Sequence, residues 1–143
     1  MISKSEYLTA LYQLGFVKET ASRTDGSRIK FQHIKYPNLF AGIDDHKNTK
    51  EMSQKIHKEL LRVMTLTVYI ECKDDNNVVD FIKVQEILGK LNRELAGAII
   101  KNLQKLDNND INSFAQILPK KLYNEILKIK GEVNCQEVVD YIT

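Results

Sequence analysis

The chain has no tryptophan, two prolines, two cysteines and six glycines, and each shortage narrows what it can be. Cys72 and Cys135 lie far apart and form no Cys-x-x-Cys pair, so neither a disulfide framework nor a zinc site is indicated. They read as free thiols of a reducing compartment. The longest uncharged apolar runs, such as Val63 to Ile70, are far too short to span a bilayer, and the N-terminus has no apolar signal segment. The expected location is therefore cytoplasmic, without a membrane partner.

Strong charge of one sign is also missing. The net charge is +2, and the positive excess falls between Met1 and Glu71. That distribution allows a nucleic-acid partner without demanding one. Nucleotide and hydrolase signatures are absent too: there is no phosphate loop, no nucleotide-binding glycine pattern and no nucleophile elbow. Asp74 to Asp80 and Asp107 to Asn112 do not follow the order of a calcium loop. No cofactor and no metal are expected.

What is present is a chain of 143 residues, 43% hydrophobic and 28% charged, which is the composition of a globular protein with a real core. Ser3 followed by Glu6 forms a capping-box pattern, and Tyr7, Leu8, Leu11 and Leu14 recur at helical spacing until Gly15 stops the run. Val17 to Arg23 reads as a strand, Asp25-Gly26 as a tight turn, and Arg28 to Ile34 as a second strand. Tyr36-Pro37-Asn38 breaks it, and Leu39 to Ile43 reads as a third. Asn48 and Glu51 then cap a helix carrying Met52, Ile56, Leu60 and Val63.

Leu66 to Cys72 alternates apolar residues with Thr, Tyr and Glu, the pattern of a fourth strand or an extended connector. Beyond it the chain reads as helical. Val84, Leu88, Leu91, Leu95, Ile99, Leu103 and Leu106 make one long apolar stripe interrupted by Gly89 and Gly97. Asp110 to Leu118 makes a short helix. Pro119 suits the first turn of another, which Gly131 ends, and Asn134 with Glu137 caps the last. The fold class is α+β: an α-β-β-β-α unit over residues 1–65, then a mostly helical half over 66–143 with a leading strand.

The run Thr24-Asp25-Gly26-Ser27-Arg28-Ile29-Lys30-Phe31 alternates basic and apolar side chains straight after a turn. Such a strand separates a buried face from a cationic one. Its place between the capped helix Ser3 to Phe16, ending in Leu-Gly-Phe, and a histidine, His46, just before the helix Glu51 to Val63 resembles the HicA family of toxins. Those are small double-stranded-RNA-binding-like domains of toxin–antitoxin pairs that cleave messenger RNA. Gly26-Ser27-Arg28 stands where that family shows Gly-Ser-His.

The resemblance implies an RNA-binding fold over Ser3 to Val63, RNA as ligand, and an antitoxin-like protein inhibitor as partner. The family's expected catalytic histidine is replaced by Arg28, which stays charged and can hold phosphate but cannot exchange a proton near neutral pH. Weak or lost ribonuclease activity follows. Among the remaining histidines, His46 beside Asp44 and Asp45 is the candidate acid/base group. His33 continues the second strand, and His57 falls on the polar side of its helix. The candidate RNA-binding residues are Arg23, Ser27, Arg28, Lys30, His33 and Lys35 on the hairpin, with Lys47, Lys50 and Lys55 at the start of the helix.

Two other classes compete with this reading. One is a protein-docking module of a mobile-element or defence-related system, with the stripe from Leu88 to Leu106 as its surface. The other is a DNA-binding helix pair over Phe81 to Leu106, turning at Gly89 and using Arg93, Lys101 and Asn102. Too few cations fall on that second helix to favour it.

Overall fold

The computed structural model describes residues 2–19, 28–44, 54–106 and 115–143. Ser3 accepts the Glu6 amide proton while the Glu6 carboxylate accepts from the Ser3 amide, a complete capping box that starts α1 (Lys4–Gln13). Three strands follow: β1 (Phe16–Lys18), β2 (Arg28–His33) and β3 (Phe40–Asp44), in the antiparallel order β1-β2-β3. The expected first strand therefore begins a residue early. Its stretch from Thr20 to Arg23 lies outside the described residues, as does the expected cap at Asn48 and Glu51.

Phe16 pairs with His33, and Phe31 with Ala41, so these side chains share the buried face with Leu39 and Ile43. α1 lies over that face beside β1, its Tyr12 ring edge-on to Phe31. The next helix, α2 (Gln54–Cys72), covers the β3 side.

α2 corrects two expectations. Leu66 to Cys72 is neither strand nor connector but the last turns of one 19-residue helix, which runs straight through position 65/66. The alternation there misleads because it compares residue types, whereas Val63 to Ile70 are all buried. A helix buried all round has no polar face for a periodicity to reveal. Its two buried threonine hydroxyls are satisfied within the helix: Thr65 donates to the Leu61 carbonyl at 2.7 Å and Thr67 to the Val63 carbonyl at 2.8 Å.

The helical half packs on α2. The long stripe is two helices, α3 (Phe81–Leu88) and α4 (Arg93–Lys105), separated at Gly89 to Asn92. Asp80 caps the first and Asn92 the second through their side-chain oxygens. Val84, Leu88, Leu95, Ile99 and Leu103 are buried, so the stripe offered as a docking surface is core. A helical turn at 115–117 precedes α5 (Lys120–Lys130) and α6 (Cys135–Ile142). Pro119 caps α5 from outside rather than opening its first turn, and Gly131 ends it at a φ of +76°.

One hydrophobic cluster includes Tyr7 and Phe31 of the first unit together with Ile99, Ile126 and Val138 of the helical half. Among the described residues no helix is long and apolar enough to cross a membrane.

Candidate functional site

The strand register decides which candidate residues meet. Arg28 opens β2 opposite Asp44, which closes β3. Residues 20–27 join the chain at Arg28, and residues 45–53 follow Asp44, so both segments are tethered to one end of the sheet. Arg23 and Ser27 lie on the first segment, His46, Lys47 and Lys50 on the second. These five lie outside the described residues, and only the strand position of Arg28 is described.

Lys30 is two residues along β2 from Arg28. Its ammonium stands over the Phe40 ring at 4.4 Å and lies 3.9 Å from the Glu19 carboxylate. Half-exposed, this pair is worth at most about 1 kcal/mol, and it leaves the Lys30 charge open to a stronger anion. Val17, Gln32 and Phe40 form a row across the same outer face. Phe40 is 41% exposed, an aromatic that the sequence reading placed only as part of an apolar strand. Strict alternation from Leu39 to Ile43 was the signal that could have found it.

Lys35 does not belong with them. It lies past the far end of β2 and reaches Glu71 on α2, with its ammonium 3.4 Å from a carboxylate oxygen. The whole of β2 from Arg28 to His33, roughly 17 Å of extended chain, lies between it and Arg28.

His33 is 3% exposed and has both ring nitrogens engaged. Nε2–H donates to the Leu14 carbonyl at 2.8 Å, and Nδ1 accepts the Lys35 amide at 3.0 Å, which fixes a single neutral tautomer. Burial holds its pKa below the usual histidine value, against the opposing bond to Leu14 and the Glu71 charge. Its ring packs edge-on to Phe16 and tilted against Tyr36. The nearby Tyr36 phenol is pushed up to about 12 by burial and by Glu71. His33 is thus a clasp between the end of α1 and the end of β2, with no free nitrogen for a substrate.

His57 is likewise occupied. It does not face the polar side of α2 in solvent but is half-buried, with Nδ1 bonded to the Tyr7 hydroxyl and the two rings edge-to-face. Burial and the charge of Glu94 push the Tyr7 phenol up to about 12. Of the described histidines, His33 has no free ring nitrogen and His57 has Nδ1 committed to Tyr7.

Cys72 is buried, and burial lifts its thiol to about 11. The Cys135 thiol is raised for the same reason, against a bond to Tyr69. Neither is a reactive thiolate at neutral pH. Among the described residues no His/Cys/Asp/Glu group could hold a metal ion. No family model, curated protein or solved structure matches the chain.

Proposed function

We propose that the protein binds RNA at the sheet end where Arg28 and Asp44 pair, and that it cuts RNA weakly or not at all. The observation that carries this reading is the register, which tethers the segments bearing Arg23, Ser27, Lys47 and Lys50 to two paired strand residues. The α-β-β-β-α order, with α1 and α2 on one face of the sheet, supports it as the arrangement the HicA resemblance implies. Lys30, with Phe40 beside it, extends the cationic end along the outer face. Phosphate contacts by cations need no buried site, because counterion release supplies the affinity.

The weak-nuclease part rests on the proton inventory. Arg28 replaces the expected histidine, and His33 and His57 are both committed to internal bonds. His46 is the remaining acid/base candidate. An antitoxin-like inhibitor and a cytoplasmic setting belong to the same reading.

Retention of a 20-base-pair RNA duplex at low salt tests it. Arg28→Ala with Lys30→Ala is expected to weaken binding at least tenfold and to flatten the salt dependence by one to two units of slope, about 0.7–0.9 per lost phosphate contact. Unchanged retention in that variant would discard the proposal. RNA incubated with the wild type is expected to stay intact. Cleavage that disappears in His46→Ala would overturn the non-catalytic assignment.

A further inference from the structure

The three-stranded sheet has two edges, and they differ. β1 is three residues long and ends in Lys18, and a short strand carrying a lysine discourages further pairing. β3 runs through Phe40-Ala41-Gly42-Ile43-Asp44 without lysine or proline, and no bulge breaks its register with β2. None of these devices closes the β3 edge.

Hydrogen-bond polarity shows which backbone groups that edge offers. The His33 amide donates to the Leu39 carbonyl at 3.0 Å, so His33 and Leu39 form a bonded pair. Bonded pairs recur at every second residue of an antiparallel ladder, so Ala41 and Ile43 also turn their backbone groups toward β2. The N–H and C=O groups of Phe40, Gly42 and Asp44 therefore point out of the sheet. Phe40 and Gly42 have no further backbone partner among the described residues. The described elements that pack closely on β3 are β2 and α2, and the side chains of Ala41 and Ile43 are buried on the inner face.

We propose that β3 pairs antiparallel with β3 of a second copy of the chain, about a two-fold axis at Gly42, joining two sheets into one of six strands. Gly42 then meets Gly42, and Phe40 meets Asp44 of the second copy, each as a bonded pair. The charges select this occupant. Phe40 carries the Lys30 ammonium 4.4 Å from its ring centre, and the half-exposed Glu19 at 3.9 Å holds that ammonium only loosely. Self-pairing sets the one charged residue of β3, an aspartate, opposite that ring on the same face of the sheet.

Like charges stay apart in this register. The two Lys30 positions are separated by both glycines, three strand spacings or roughly 14 Å, which exceeds the screening length at moderate salt. Parallel pairing of the same strands would bring the two Asp44 positions together, which disfavours it. The axis stands perpendicular to the sheet, so both copies keep their helices on one face and their Arg28 ends point in opposite directions.

The test is sedimentation equilibrium of the full chain without RNA, from micromolar to near-millimolar protein, with amide exchange followed by NMR in the same samples. Wild type is expected to pass from monomer to dimer. The Phe40 and Gly42 amides should exchange at least tenfold more slowly in concentrated than in dilute protein, while the Ala41 and Ile43 amides, bonded to β2, are protected alike in both. Gly42→Pro removes an outward N–H and no bond to β2, a place where a sheet edge tolerates proline. It should stay monomeric with its far-ultraviolet circular dichroism unchanged. Asp44→Lys should weaken dimerisation at least fivefold, and Lys30→Glu added to it should recover most of that loss, a rescue that a folding defect does not produce.

A chain that is monomeric throughout would overturn the proposal and leave the edge to a foreign strand. Phe40 and Gly42 amides already protected in dilute protein would overturn it too, because the chain would then cover its own edge. A dimer that a folded Gly42→Pro variant still forms, or that Asp44→Lys leaves unweakened, would place the interface elsewhere. Since no RNA is present, each of these results leaves the RNA reading standing.

Discussion

Gly15 and His33 show how one residue's chemistry fixes another's. Gly15 ends the first helix at a φ of +99°, and a Cβ there would come within 2.8 Å of His33 Nε2. Gly15→Ala therefore combines a left-handed backbone cost with displacement of a buried imidazole, and should destabilise the fold by about 2–4 kcal/mol in urea denaturation. The His33 ring makes a second, pH-dependent statement. Its folded pKa is lowered, so as pH falls through about 6.5 the unfolded chain takes up a proton before the native one does. Stability is fully present above that pH and declines as pH falls toward the folded pKa, below which this group adds no further loss. Glu71 opposes the decline and Lys35 reinforces it. The urea midpoint should fall less between pH 7 and pH 5 in His33→Gln, whose amide can still reach the Leu14 carbonyl. Equal slopes would remove His33 as the cause.

At the scale of elements, α1 and α6 were legible because their ends carry their own chemistry. Ser3 with Glu6 and Asn134 with Glu137 make the capping bonds their spacing implies. The three strands were legible from alternation with turn residues between them. α2 was not, since both parities of Leu66 to Cys72 are buried and a periodicity argument needs one wet face. The candidate site divided on similar lines. Sequence order placed Lys30 and Lys35 on one hairpin, but it held no sign of the Glu71 carboxylate that engages Lys35 from another element. His33 looked like a strand-end residue because its partner is a backbone carbonyl, which every residue has. The helical assignment carries its own check. Leu66 is fully buried within α2, so Leu66→Ala should cost about 2–5 kcal/mol. Thr67→Val should cost far less, because the hydroxyl it removes serves only its own helix. A half-exposed strand would bury Leu66 as well but put Tyr69 on its wet face, so a Tyr69→Ala that costs little, at a ring α2 buries, is the result that would favour the strand.

The whole molecule is organised around α2, which packs against β3 on one side and α3 and α4 on the other. Hydrogen bonds reinforce the join: Arg62 donates to the Leu118 carbonyl, Asn38 to the Tyr141 carbonyl and Asn92 to the Glu6 carboxylate. Arg62, Asn38 and Glu6 belong to the first unit, and their partners to the helical half. A chain cut after Thr65 would lose the last turns of α2 and the helices packed on it, which share one buried cluster with Tyr7, Leu60 and Met64. The fragment 1–65 is therefore expected to lack a cooperative urea transition, whereas the full chain should unfold in one step. With no tryptophan present, far-ultraviolet circular dichroism and tyrosine emission are the two probes whose midpoints must coincide. Two resolved transitions in the full chain, or a fragment 1–65 that unfolds cooperatively at its own midpoint, would divide the molecule at residue 65. The helical half would then be a separate domain rather than the other side of one core.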